Sequence, residues 1–149
     1  GGAAWSALDR SRCRAAYLPK TRKCGAAVLL SYAASYLIGN EWLKDLIARP
    51  RPCAVDDTVL MIVKKPSSFS CPSVHTYLAF SSAMAIFHYY KKAGIGVFVF
   101  AALVGFSWMY FFVHYPTEVL FGAVLGIVTA FVVCALLDKI CGRFQKKTL

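Results

Sequence analysis

The sequence predicts an all-α protein, a polytopic membrane helical bundle with about four transmembrane helices and an interfacial or remnant N-terminal helix. Composition is the first reason, because 58% of the 149 residues are hydrophobic and 16% are charged, against about a quarter charged in globular proteins. The apolar residues also fall into four long stretches, and most basic residues lie outside them. This combination is typical of membrane proteins with basic cytoplasmic ends.

The four stretches approach the ~20 residues with which a helix crosses ~30 Å of hydrocarbon. They cover Gly25–Leu46, Thr76–Tyr90, Gly94–Val113 and Thr117–Leu137. The second is the shortest, so we expect its helix to extend beyond the apolar core. The first ends with Glu41, Lys44 and Asp45, which membrane helices tolerate where they face water or the interior of a bundle.

Residues 1–18 differ from these stretches, because four charges interrupt their apolar character and would make a membrane crossing costly. They form either a basic amphipathic helix at the interface or the remnant of a further membrane helix. The chain opens with Gly1 and Gly2 and no initiator methionine, so we expect a fragment or a processed form. We treat 1–149 as one membrane domain, with a basic segment at 1–23 and an outer loop at 47–74.

The basic residues also predict the orientation. Of the 17 Lys and Arg residues, 12 lie on one side of the four stretches and 5 on the other. The positive-inside rule places the larger group in the cytoplasm, so the loop at 47–74 and the tip His114–Pro116 face outward. The net charge of +10 would also suit nucleic-acid binding, but the apolar content and the positions of the charges argue against it.

Polar groups that suit phosphoryl transfer converge on this outer face. Cations neutralise phosphate oxygens, and one histidine can attack phosphorus while another protonates the leaving oxygen. A carboxylate can fix the tautomer of the attacking histidine by accepting its other ring N–H. The groups are Lys44 and Arg51 in KDLIARPRP, Ser73 and His75 in CPSVH, and His114 and Glu118 in HYPTE.

In order and spacing these motifs resemble the type 2 phosphatidic acid phosphatase family, whose signature is K-x6-RP, PSGH and SR-x5-H-x3-D. The resemblance covers roughly residues 20–137. It implies a metal-independent membrane phosphatase in which a phosphohistidine forms on His114 and His75 is the general acid. It also implies that Glu118 stands in for the aspartate that orients His114. Phosphate binding falls, by the same resemblance, to Lys44, Arg51 and Ser73.

Three positions depart from the family pattern. Val74 replaces a glycine and adds a β-branched side chain where the backbone should approach the phosphate. Trp108 replaces an arginine and removes a bidentate phosphate clamp, whereas Glu118 in place of aspartate is a mild change. Losing one good donor to the transition-state charge commonly costs about 10²–10³ in rate. Arg49 is the nearby cation that we consider as a replacement for the missing arginine.

Two functions follow from this pattern. The favoured one is an integral-membrane lipid phosphatase in a bacterial plasma membrane, with its site facing outward. By resemblance to small bacterial family members, undecaprenyl diphosphate is the leading substrate, ahead of phosphatidic acid and phosphatidylglycerol phosphate. The alternative is a catalytically impaired member that binds lipid phosphate or acts as a scaffold. The related vanadate-dependent haloperoxidases are soluble and much larger, and no internal repeat supports a transporter.

Cysteines and glycines give two further expectations. Cys53 and Cys71 flank the two loop motifs, so in an oxidising compartment we expect a disulfide that joins them. The alternative is two free cysteines packed as small hydrophobes. Gly122 and Gly126 in GAVLG predict close helix packing, with a homodimer contact as the less favoured use of the same motif.

Overall fold

A computed structural model of the chain describes residues 20–55 and 66–147. Every regular element within these ranges is helical, which confirms the all-α prediction. The expectation for residues 1–18 falls outside the described residues, as does the part of the outer loop at 56–65.

The first helix, α1, runs over 20–47 without a break. It is α-helical over 20–36, widens to a π-helix over Leu37–Leu43 and closes with an α-helical turn at Lys44–Ile47. The helices that follow are α2 (Pro52–Val55), α3 (Val74–Tyr89), α4 (Lys91–Tyr110) and α5 (Pro116–Lys147). The helix of the shortest apolar stretch therefore begins ahead of its apolar core, as expected.

The end of α1 sets the position of the first motif. Ala48 adopts a left-handed conformation with φ 48°, and its N–H donates to the carbonyl of Lys44 at 2.9 Å. The helix cannot resume at Pro50, because proline lacks the N–H and its ring meets the preceding turn. Lys44 therefore lies in the last turn of α1, and Arg51 follows in the connection to α2.

Helix α3 is the centre of the bundle and packs against both α4 and α5. Glycines make the second contact close. A Cβ on Gly126 would lie 2.6 Å from the carbonyl oxygen of Tyr77, and one on Gly122 would lie 2.8 Å from that of Ser73. The predicted close packing by GAVLG is confirmed, and its glycine face is covered by α3 of the same chain.

Small residues also hold the other end of the bundle together. Ala27 of α1, Ala85 of α3 and Ala130 with Cys134 of α5 form one buried cluster. Their short side chains let three helix backbones approach one another.

The lateral surface of the bundle, around the outside of the helices, is strongly apolar. Within the described residues, α4 and the segment Pro116–Cys141 of α5 are long and apolar enough to cross a membrane. Many large apolar side chains are exposed on them, including Phe100, Leu103, Phe106, Leu120, Phe131 and Leu136. An apolar surface of this extent is typical of a protein covered by lipid.

The expected disulfide is not formed. Cys53 and Cys71 are both free thiols, with 2% and 8% of their surfaces exposed. Each is buried as a small apolar side chain beside the motif that it flanks, which is the behaviour of a structural cysteine. The prediction of a bond between them was wrong.

Candidate active site

A cavity of about 260 Å³ opens at the end of the bundle where α1 ends, α3 begins and α4 meets α5. Four of the six predicted site residues line it, together with two positions that depart from the family pattern. The lining residues are Lys44, Arg51, Pro66, Ser68, Val74, His75, Trp108 and His114. The structure therefore brings together residues that are separated by up to seventy positions in the sequence.

The hydrogen bonds of His114 define its tautomer. Its Nε2 lies 3.2 Å from Nη1 of Arg51, and a guanidinium can only donate. Nε2 is therefore the unprotonated acceptor, and Nδ1 carries the proton that it donates to Oε2 of Glu118 at 3.1 Å. The residue is 4% exposed. The unprotonated nitrogen, Nε2, is therefore the one next to Arg51.

Electrostatics favour this neutral form of His114. Burial lowers the pKa of His114, the hydrogen bond to Glu118 raises it, and the nearby charge of Arg51 lowers it again. The net direction is downward. At neutral pH the imidazole therefore keeps a lone pair, which is the form that can attack phosphorus.

Glu118 is held from several sides behind His114. It lies in the first turn of α5 and is 1% exposed. Besides His114, the hydroxyl of Ser70 and the N–H of Tyr115, at 3.2 Å, both donate to Oε2. A carboxylate with this many donors is fixed in position and stays ionised. Ser70 was not predicted from the sequence, because its serine-rich surroundings carry no distinctive spacing.

Arg49 does not take the place of the missing arginine. Its guanidinium lies over the ring of Tyr115, 4.2 Å from the centroid, and donates to the hydroxyl of Thr117 at 3.2 Å. Its Nε lies 3.4 Å from Oε1 of Glu118, and the residue is not among those that line the cavity. Arg49 therefore contacts the carboxylate of Glu118 and not the cavity. The expectation that it could serve as a cavity cation is wrong.

The two cations of the cavity are tethered to the loop that precedes α3. Arg51 donates through Nε to the carbonyl of Ser68 at 2.7 Å and through Nη2 to its hydroxyl at 3.0 Å. Lys44 donates to the same hydroxyl at 3.2 Å and to Oδ1 of Asn40 at 3.3 Å. Burial lowers the pKa of Arg51. Both cations line the same cavity. Their present hydrogen-bond acceptors are uncharged, so an anion bound in the cavity would replace uncharged partners.

Ser73 differs from its expected placement. It is fully buried, and its hydroxyl shares a hydrogen bond with that of Thr76 at 2.9 Å instead of lining the cavity. Val74 and His75, the first two residues of α3, do line it. The amino end of a sixteen-residue helix therefore faces the cavity, and the helix dipole favours an anion at that end.

Trp108 forms the wall between the two histidines. Its ring stacks on that of His75, with centroids 4.1 Å apart and planes inclined by 20°. The same indole meets His114 edge-on, at 6.3 Å and 74°. The position that the family signature gives to an arginine is here an aromatic contact to both histidines.

A helical bundle with an apolar outer surface, and with a cavity that joins two cations to a carboxylate-held histidine, has the features of a membrane protein whose cavity suits an anion such as phosphate. The chain belongs to the PAP2 superfamily, whose family model matches residues 25–140. The resemblance stated from the three motifs is thereby confirmed.

Several relatives are similar over most of the chain. A "Bacitracin transport permease protein BcrC" of Bacillus licheniformis is 32% identical over 74% of this chain and 54% of its own length. An "Undecaprenyl-diphosphatase" of Sulfolobus acidocaldarius is 30% identical over 72% of this chain and 52% of its own length. The chain thus spans about half the length of the curated relatives that it matches.

Solved structures show the same fold. The PAP2-type phosphatidylglycerolphosphate phosphatase of Bacillus subtilis superposes with a TM-score of 0.60 at 30% identity, over 78% of this chain and 60% of the other. LpxE of Aquifex aeolicus superposes with a TM-score of 0.61 at 25% identity, over 89% of this chain and 77% of the other.

Proposed function

We propose that the chain is an integral-membrane lipid phosphatase that hydrolyses a lipid phosphate or diphosphate through a phosphohistidine on His114. The environment of His114 carries this proposal. Its Nε2 lone pair lies beside Arg51, and its Nδ1–H is held by Glu118. A nucleophile, its orienting carboxylate and the cations that attract its target are thus in one place.

In the first half-reaction, Nε2 of His114 attacks the phosphorus of the bound ester or anhydride and forms an N–P bond. The P–O bond to the lipid leaving group breaks, and its oxygen takes a proton from His75. In the second half-reaction, water attacks the same phosphorus and gives a proton to His75. The N–P bond breaks, its electron pair returns to Nε2, and inorganic phosphate leaves. The proposed steps need no metal.

Charge is supplied by Lys44, Arg51 and the amino end of α3. A bound phosphate takes over donors of Arg51 that now go to His114 and Ser68. That exchange frees the lone pair of His114 in the same step that brings phosphorus to it. We keep Ser73 as a proposed phosphate-binding residue that has to exchange a partner on binding, because its hydroxyl is engaged by Thr76 and its N–H donates to the carbonyl of Glu118.

Undecaprenyl diphosphate is the favoured substrate. A 30% identical relative carries the name undecaprenyl-diphosphatase, and a structural neighbour is named as a phosphatidylglycerolphosphate phosphatase, so that lipid is the second choice. Exposed Trp42, Leu46 and Tyr110 lie near the helix ends that carry the cavity. An apolar rim of this kind lets a lipid tail stay in the bilayer while its phosphate enters the site.

The proposed topology has four crossings, formed by α1, α3, α4 and α5, in a bacterial plasma membrane. The cavity then faces outward and the lysine-rich turn at Lys91 faces the cytoplasm. The whole chain, 1–149, is one domain.

A catalytically impaired binding or scaffold protein has no support among the relatives, since several are named as phosphatases.

Phosphate release from undecaprenyl diphosphate by the purified protein in detergent tests the function. We expect release by the parent, a loss of more than about 10³-fold in His114→Asn, and no change in His88→Asn. His88 is a matched control because it pairs with Asp138 at 2.8 Å, away from the cavity. An acid-labile phosphoryl group trapped on the parent and absent from His114→Asn would identify the intermediate. Equal release by parent and His114→Asn would refute the mechanism.

A further inference from the structure

The two histidines of the cavity are supported in different ways. His114 has hydrogen-bonding partners on both ring nitrogens. Among residues 20–55 and 66–147, no group forms a hydrogen bond with the ring of His75, which stacks on Trp108. The imidazole that must aim a proton at the leaving oxygen is therefore oriented by an aromatic face.

We infer that Trp108 is a positioning residue for proton transfer, and that its indole face sets the ring plane of His75 and favours the protonated ring. This inference rests on the proposed function, in which His75 is the general acid. A ring stacked at 4.1 Å and 20° cannot tilt without losing its contact area, so its N–H vectors stay in one plane. An electron-rich indole face also attracts a cation placed over it.

The charges around His75 explain why such support is needed. Two cations line the cavity beside it, Lys44 from α1 and Arg51 from the connection to α2, and none of the described residues that line the cavity is an acid. Both positive charges oppose protonation of His75. A neutral histidine has no proton to give, so a neighbour that stabilises the imidazolium without adding another positive charge helps the acid step.

An arginine at this position would act in the opposite way. It would add a further positive charge beside His75 and offer donors to the phosphate. The indole removes that donation and supplies orientation instead. Tryptophan in place of arginine therefore gives up one contribution to phosphate binding and gains one to proton transfer.

Leaving-group dependence tests this role. An aryl phosphate with an acidic phenol departs without a proton, whereas a lipid phosphate needs one. We expect Trp108→Leu to lower hydrolysis of the lipid phosphate by about 10–100-fold and that of the aryl phosphate by less than about 3-fold. Trp108→Phe keeps a stacking face and should recover most of the lipid activity. Phe100→Leu is the matched control, because Phe100 is an exposed aromatic residue on the same helix as Trp108 and does not line the cavity.

A double-mutant cycle separates proton transfer from general damage. Once His75→Ala has removed the acid, Trp108→Leu should cost nothing further on the lipid phosphate. Additive losses, or equal losses on both substrates, would overturn the inference while leaving the proposed function intact. If the parent releases phosphate from neither the lipid phosphate nor the aryl phosphate, the proposed function itself is overturned.

A spectroscopic readout does not depend on turnover. Ring current from the stacked indole should shield the imidazole proton signals of His75 in the parent and in Phe100→Leu. The shielding should disappear in Trp108→Leu, and the titration midpoint of His75 should move to lower pH, because the face that stabilises the imidazolium is gone. Unchanged shifts and an unchanged midpoint would overturn the inference.

Discussion

Replacing Glu118 by glutamine removes one negative charge and leaves the shape of the buried side chain in place. The hydroxyl of Ser70 and the N–H of Tyr115 can still donate to the amide oxygen. The partner that changes is His114, whose Nδ1–H now donates to the carboxylate at 3.1 Å. An amide can instead present an N–H to Nδ1, and this would favour the tautomer with the proton on Nε2.

The size of the effect comes from two opposing contacts. In catalytic triads, the equivalent change of carboxylate to amide lowers kcat by about 10⁴, because the wrong tautomer forms and the imidazolium loses its counter-charge. Here Arg51 still donates to Nε2 at 3.2 Å, and a hydrogen bond to a charged group is worth roughly 1.5–3 kcal/mol. Arg51 thus opposes the tautomer change, although the counter-charge is lost in either case. We expect a loss of about 10³-fold in kcat.

The assay is steady-state phosphate release at saturating lipid substrate, which gives kcat, with thermal unfolding in detergent to verify folding. Glu118→Asp keeps the charge but withdraws it by about 1.5 Å, one carbon–carbon bond, and should lose about 10–100-fold. Glu41→Gln is the matched control, since Glu41 is exposed on α1. A folded Glu118→Gln protein with a rate within about 3-fold of the parent would refute the role assigned to Glu118.

Three further predictions concern the pH dependence of the reaction, the packing of α5 on α3, and the residue at position 108. The acid limb of kcat/KM should lie below pH ~6.5, because the lowered pKa of His114 keeps the nucleophile neutral in that range; a limb above pH 7 would contradict this. Gly126→Ala places a methyl group 2.6 Å from the backbone of α3 and should cost roughly 1–3 kcal/mol of unfolding free energy, whereas Gly96→Ala, where the space is open, should stabilise or change little. Trp108→Arg should speed hydrolysis of an aryl phosphate more than that of a lipid phosphate, because a donor is gained and the stack is lost; equal changes on both would contradict that division.

Most of the fold could be predicted because membrane segments have a simple requirement. Twenty or so apolar residues must be helical, since backbone groups in lipid have no other partner. The predicted stretches accordingly match α1, α3, α4 and α5 to within a few residues at most ends. The π-helical segment Leu37–Leu43 could not be predicted in this way, because a change of helix pitch depends on tertiary packing and leaves the apolar pattern intact.

The site was predictable where residue spacing carries the chemistry. Lys44, Arg51, His75 and His114 were assigned to one place from three motifs, and all four line the cavity. The residues around them were not predictable from the sequence, since a serine such as Ser68 becomes significant only when the loop folds onto both cations. The disulfide between the loop cysteines failed for the same reason, because proximity to two motifs does not place two sulfur atoms within bonding geometry.

The exchange of arginine for Trp108 makes sense when the charges in the cavity are counted. A phosphate monoester carries about −1.5 to −2 charges at neutral pH, and two cations, Lys44 and Arg51, line the cavity. These two cations balance the charge of a monoester, whereas a diphosphate carries more charge than they supply. With either substrate, a third cation would further disfavour protonation of His75. An indole in the same wall excludes water and holds the acid histidine in plane without that cost. The loss of one phosphate donor is therefore compatible with a working hydrolase, provided that proton transfer to the leaving group is the more demanding step.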